Sequence, residues 1–441
     1  MATSISCLSE LNPLLLVART MLLQSTNWIH TTLGLLGLDS SSTNSSSIGV
    51  ALTDCAMLFD ESEPRLTRLL SGENDTGDDA RTWLSGVLAN HRTCLDGLGE
   101  KGFVEPHLAS INLTTLVGQA LALYGNHMNM EGFKSKRREI ALKVLFYFEL
   151  PYNTIYFGNN YWNTPGTEIS PQPKWGLLAS WNGETSKAHF GVAKDGSGTH
   201  VTINEVVVAL HRMGHKTIVT GNRNVPDGST TLSSVTFGVL GDGFWARDMT
   251  FQNTPGPEKH QAVALRVSSD LSVLYRCSFK AYQHTLYAHS LRQFYRDCHI
   301  YGVPKISSSA MPRDASETTG IVIHGSRIRT ALEFSAVKGT FRSYLGRPWK
   351  KYSRTIVLKT DKDSLVHPTG WTERRGSYAL SRLFYGEYMN TGIGAKPKQR
   401  VKWPGFHVIG RQEQASPFSV SNFIQGGSWI LATGVPVWLG V

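Results

Sequence analysis

Met249-Thr250-Phe251, Cys277-Ser278-Phe279, Cys298-His299-Ile300 and Ser326-Arg327-Ile328 are four similar short phrases set 28, 21 and 28 residues apart. Three of them alternate apolar, polar, apolar, the pattern of a strand whose successive side chains leave on opposite faces. A period on the order of 20 to 30 residues with one strand phrase each predicts a solenoid, because no single coil buries its apolar face alone and stacked coils share a continuous core. From Gly191 onward the chain keeps this texture of short strands between polar turns.

Upstream the period changes. Residues 48–145 read as helical: Trp83, Leu84, Val87, Leu88, His91, Cys94 and Leu95 recur at three- and four-residue steps, and Leu113, Leu116, Val117, Ala120, Leu121 and Tyr124 repeat the pattern behind Asn112 as N-cap. Residues 146–187, rich in Asn, Pro, Gly, Tyr and Trp, read as a linker, with Lys134, Lys136, Arg137 and Arg138 clustered just before it. The expected architecture is α + β with two domains: an antiparallel helical bundle over 48–145 and a strand solenoid over 188–441.

A chain of 441 residues is long enough for two domains. Net charge of +10 and a pI near 9.3 suit an acidic polymer as partner. The basic residues are scattered and no nucleic-acid motif occurs, so no nucleic-acid partner is expected. Five cysteines are too few for a metal or disulfide scaffold of the usual spacings, and no metal or cofactor is expected. Cys55 with Cys94, and Cys277 with Cys298, are each read either as a disulfide or as two buried thiols, with Cys7 left over. The apolar run Leu14–Ala18 is cut by Arg19 and makes no clear secretory signal. No run reaches the ~18 apolar residues of a membrane span, so no membrane partner is expected. Glycosylation sequons stand at Asn44, Asn74 and Asn112.

Longer phrases carry a resemblance. Val192-Ala193-Lys194-Asp195-Gly196-Ser197-Gly198, Val239-Leu240-Gly241-Asp242-Gly243-Phe244, Phe251-Gln252-Asn253-Thr254, Gln261-Ala262-Val263-Ala264-Leu265-Arg266, Leu345-Gly346-Arg347-Pro348-Trp349, Tyr385-Gly386-Glu387-Tyr388-Met389-Asn390-Thr391 and Val401-Lys402-Trp403-Pro404-Gly405, in this order, resemble the plant pectin methylesterases. Ala51-Leu52-Thr53-Asp54-Cys55, Ala80-Arg81-Thr82-Trp83-Leu84-Ser85 and Thr93-Cys94-Leu95-Asp96-Gly97 resemble the inhibitor-like domain that precedes the catalytic domain in many members. The resemblance implies a right-handed parallel β-helix behind a truncated inhibitor-like bundle. Its implied partners are pectin (homogalacturonan) and the chain's own inhibitor-like domain, and its implied location is extracellular, in the cell wall. It also marks the basic cluster before the linker as a place where such chains are cut, beside the plainer reading of a solvated charge run.

The family reaction uses two aspartates: one protonated, the other a nucleophile on the methyl ester carbonyl. Two carboxyls held close share one proton and so supply acid and nucleophile together. In Tyr282-Gln283-His284-Thr285-Leu286 the first aspartate's place is held by His284. In Gly302-Val303-Pro304-Lys305, where the family reads "GTVDFIFG", the second is held by Lys305, one coil of 21 residues later. On that spacing the two stack on adjacent rungs. Gln261 and Gln283 match the family's oxyanion donors, Arg347 the arginine that orients the nucleophile, and Trp349 and Tyr282 the aromatic walls of the sugar cleft. Asp297 matches a non-catalytic position, and Asp314 is a further carboxylate nearby. His284 has the reference pKa of an acid–base catalyst. Lys305, with a reference value near 10.4, needs strong desolvation to attack an ester. Two readings follow. One is a pectinesterase-family enzyme that demethylesterifies pectin to pectate and methanol. The other is a catalytically inactive pectin-binding or inhibitor-like protein, or the product of an incomplete gene model lacking a coil near 209–217 and another after Gly302.

Overall fold

The computed structural model describes residues 2–36, 47–72, 76–103, 108–131, 143–147, 218–301, 306–307, 319–330 and 342–441. Four helices, α1 (Ala2–Leu35), α2 (Ser47–Ser71), α3 (Gly77–Glu100) and α4 (Leu108–Glu131), form a bundle in which α1 and α3 each pack on α2 and α4. Leu15 and Leu22 of α1, Leu52, Phe59 and Leu66 of α2, Leu84 and Leu88 of α3, and Leu113, Val117 and Leu121 of α4 make its core at the three- and four-residue steps of a helical stripe. The bundle therefore begins before residue 48, and the run Leu14–Ala18 belongs to a packed helix whose Arg19 pairs with Glu63 at 2.7 Å. Thr76 caps α3 in a reciprocal box with Asp79, whereas Asn112 lies inside α4 and caps nothing. The disulfide Cys55–Cys94 ties α2 to α3.

The rest is a stack of parallel strands in three long ladders, numbered here along the chain. The first runs β4 (Trp245–Arg247), β7 (Ser272–Tyr275), β10 (Arg292–Arg296), β1 (Lys143–Tyr147), β13 (Gly320–His324), β15 (Arg354–Leu358), β17 (Phe384–Tyr388) and β18 (Phe406–Val408). The second holds β2 (Ile218–Gly221), β5 (Thr250–Asn253), β8 (Ser278–Lys280) and β11 (His299–Tyr301). The third holds β3 (Phe237–Val239), β6 (Leu265–Val267), β9 (Leu286–Ala288) and β12 (Ile306–Ser307), and a short ladder joins β14 (Arg327–Ile328) to β16 (Asp361–Lys362). This is a parallel β-helix. Its period has a local cause. Asp248, Arg276, Asp297 and Gly325 all hold φ between 53° and 57°, and each immediately precedes one of the four phrases quoted first. One left-handed residue per coil turns the chain from the first ladder into the next, and three of these four are side-chain-bearing residues in a conformation that disfavours them.

The solenoid interior holds Phe251 stacked on Phe279 at 6.0 Å, with Tyr295 edge-on to Phe279 at 5.9 Å. Cys277 and Cys298 are buried here as free thiols, which corrects the second disulfide expected from the sequence. They are in-register neighbours, one residue before the pair Ser278 and His299. Parallel neighbours hold their Cβ atoms at the interstrand spacing of about 4.8 Å, wider than the about 3.5–4.5 Å of a disulfide. Each thiol is instead directed at a main-chain carbonyl, Cys277 at Tyr275 and Cys298 at Leu274.

The bundle docks on the outer face of the third ladder. Leu265 and Leu286 point into the solenoid, and their register neighbours Arg266 and Tyr287 point out at the helices. Leu232, Val263, Tyr287 and Leu291 share one buried cluster with the helix cores. Polar links frame it. Arg292 holds Asp79 at 2.8 Å and Asp270 at 2.7 Å, and the Trp83 indole donates to Asp270 at 3.2 Å. Burial pushes the Asp270 carboxyl up, but hydrogen bonds and charge from Arg292 outweigh it and hold the group below its ordinary range.

Candidate functional site

The residues singled out by the sequence gather where the second ladder hands over to the third. Gln261 leads into β6 and Gln283 into β9, and the Ala262 amide donates to the Gln283 carbonyl at 3.3 Å, so the glutamines lie on adjacent rungs. Tyr282, at 40% relative exposure, stands at the surface beside them. His284 follows in the same bend with φ +59°, buried to 5% relative exposure. Among residues with side chains, Asp, Asn and His are the ones enriched in that left-handed region, so the bend accepts either the family's aspartate or this histidine. Thr285 locks the bend by donating to the carbonyls of Ala281 and Tyr301 at 3.2 and 3.1 Å.

The opposite wall is the loop Leu345–Trp349. The Leu345 amide donates to Gly370 and the Thr372 amide to Gly346, so this loop is sewn to residues 370–372. Trp371 there is buried, stacked on Tyr385 at 4.2 Å, and donates from its indole to Glu387, which a buried pair of cations, Lys362 at 2.6 Å and Arg400 at 2.8 Å, also engages. A rigid ionic cluster thus holds the loop that carries Arg347 and Trp349. Trp349 packs edge-on to His284 with ring centroids 6.2 Å apart. The Arg374 guanidinium lies 3.7 Å above the same indole and donates to the Trp349 carbonyl at 2.6 Å. Burial first, and then the charges of Arg375 and Arg347, lower the Arg374 pKa. Arg347 itself is exposed, and no ion pair among the described residues engages it.

Arg374 and the bundle's reach to this cleft escaped the sequence reading. Lys350, next to Trp349, pairs at 2.9 Å with Asp96 near the end of α3, and Asp96 also acts on Arg374. Residues 254 apart carry no local signal of such a contact. Asp297 is a turn residue paired with Arg296 at 3.1 Å, outside the cleft. Lys305 and Asp314 lie outside the described residues. The strand that follows residue 305 pairs Ile306 with Leu286 and Ser307 with Tyr287. That ladder runs at an offset of 20, one short of the 21 that stacks residue 305 on His284, and a one-residue slip in a strand exchanges its two faces. The described cleft therefore combines two glutamines, one buried histidine, an indole and a cluster of arginines, with no carboxylate pair among the described residues.

Comparison with known proteins agrees with this geometry. The family described as Pectinesterase matches residues 206–307 and 304–427, and Plant invertase/pectin methylesterase inhibitor matches residues 4–123. The chain is 49% identical over 456 residues to Probable pectinesterase/pectinesterase inhibitor 36 of Arabidopsis thaliana, covering 89% of this chain and 87% of that one. It is 38% identical over 453 residues to Pectinesterase 2 of Citrus sinensis, covering 89% and 82%. The solved pectin methylesterase from carrot superposes with a TM-score of 0.54 at 39% identity, over 58% of this chain and 99% of that one. With a parallel β-helix behind a helical bundle, and with sequence likeness across nearly its whole length, the chain belongs to the plant pectinesterase family.

Proposed function

We propose that this chain binds cell-wall pectin in the cleft of Gln261, Gln283, Arg347 and Trp349, and that demethylesterification, the reaction of its family, is lost with the two carboxylates. The observation that carries the reading is His284, buried against Trp349 in the bend where the family places an aspartate. The two-carboxylate route needs one group protonated and its neighbour charged, a split that arises from their mutual repulsion. An imidazole can move a proton but forms no acyl-enzyme of that kind. The parts that bind survive. Glutamine amides donate to sugar or ester oxygens, Trp349 and Tyr282 offer faces for sugar rings, and unengaged Arg347 suits a galacturonate carboxylate. The bundle beside the cleft, anchored by Asp96 to Lys350, acts as an intramolecular inhibitor-like cover. The protein works outside the cell, where this polymer lies.

The test is paired. Purified chain is given highly methylated pectin and methanol is measured, while binding to methylated and demethylated polymer is measured at low salt. The expected result is binding without methanol, with demethylated polymer preferred. Methanol release at the rate of a family member overturns the loss of catalysis. Equal binding of neutral and acidic polysaccharides overturns the assignment of the ligand.

A further inference from the structure

We propose that the space between Arg292–Arg296 and Gly320–His324 in the first ladder is a strand-binding slot, that its ligand is an extended peptide in parallel orientation, and that the chain's own segment Lys143–Tyr147 fills it. The proposal does not depend on the pectin reading. Consecutive solenoid strands of the first ladder pair directly: β7 with β10, β13 with β15, β15 with β17. Only β10 and β13 do not, since Lys143 is the register partner of both Arg292 and Gly320. From Arg292 to Gly320 the chain advances 28 residues, a single coil, yet the two strands stand two rungs apart. The other ladders mark the same place. The second ends at β11 and the third at β12, and β14 starts afresh with β16, so one rung is missing from both and is present in the first ladder alone.

An empty slot here is costly. Its walls are central strands with Phe294 and Val322 fully buried, and vacancy leaves two rows of backbone N–H and C=O groups unpaired. Lys143-Val144-Leu145-Phe146-Tyr147 is apolar, aromatic and β-branched, the composition of a strand buried within a parallel sheet. It satisfies both rows in the way that strand addition binds peptides elsewhere. The basic cluster 134–138 lies immediately N-terminal to it. A cut there leaves this strand joined to the β-helix, whereas a cut within 148–217 leaves it joined to the bundle and held in the β-helix by pairing.

Hydrogen exchange of the full chain tests this. Amides of 143–147 are expected to exchange at least ~100-fold more slowly than an unstructured peptide. Exchange at the unstructured rate overturns the proposal outright. In Leu145→Pro, which removes a ladder donor from a central strand, protection is expected to fall at 292–296 and 320–324, while amides near Cys55 and Cys94 keep theirs. A synthetic peptide of residues 139–150, added to that variant, is expected to restore protection at both walls, and the same peptide carrying the proline is not. Restoration by neither peptide, or by both, overturns the slot. Should the variant fail to fold, the exchange of 143–147 in the parent chain still decides.

Discussion

His284 shows how a single position can keep its backbone role and lose its chemical one. Its φ of +59° suits Asp and His alike, whereas a β-branched side chain in the left-handed region costs on the order of 1–2 kcal/mol. His284→Asp should therefore retain a higher unfolding temperature than His284→Val. It should still release no methanol, because one carboxylate is not a pair; turnover by the single variant contradicts the two-carboxylate argument. Asp54 provides a second test at this scale. It receives a hydrogen bond from Thr230 across the domain interface and lies in the field of Arg266 and Glu100. Burial, set against the Thr230 bond and Arg266, pushes its carboxyl from 3.8 up to about 6. A pKa raised by folding favours the folded state at low pH, and that contribution disappears as pH rises through the folded value. Across the window from 3.8 to about 6, at about 1.4 kcal/mol per unit, the charged form costs roughly 3 kcal/mol. Asp54→Asn, which keeps an acceptor for Thr230, should gain stability relative to the parent as pH climbs from 4 to 7. A constant difference between the two denaturation curves rules this out. Glu61, pushed up to about 7 chiefly by burial, adds to the parent's slope in the same direction.

The helix α3 is the element that couples the two parts. Its face is buried along nearly the whole length from Ala80 to Cys94, although its sequence shows an ordinary amphipathic stripe, because it packs on α2 and α4 on one side and on the β-helix on the other. Gly86 permits the approach: a Cβ there meets Leu291 Cδ2 at 2.7 Å. Gly86→Val gains a few tenths of a kcal/mol in helix propensity, while wedging a branched side chain into a packed contact costs about 1–3 kcal/mol. The steric cost wins, so the variant should unfold at lower denaturant and lose protection around Leu291. An unchanged midpoint means the contact is not packed as described. Element-level reading of the sequence found the strand phrases because a turn residue recurs before each. It missed Lys143–Tyr147 as a strand because five residues in an aperiodic setting acquire their partners from coils about 150 residues further on.

For the whole molecule, the charge of +10 bears on the polymer it meets. Affinity for demethylated pectin should fall steeply between low and physiological salt, as the screening length shrinks from ~30 Å at 0.01 M to ~8 Å at 0.15 M. Binding that ignores salt assigns the recognition to rings and amides alone. The sequence by itself determined the two-part order, the solenoid, its family and the loss of the aspartate at 284, since each is written in local pattern or residue type. Only the tertiary structure decided that Cys277 and Cys298 stay thiols, that α3 lies against the third ladder with Asp96 at the cleft, that Arg374 caps Trp349, and that the strand after residue 305 pairs at an offset of 20. These are matters of distance and register between segments remote in the chain. A parallel stack converts one residue of slip or a fraction of an ångström in spacing into a different face or a different bond, and no local pattern records either.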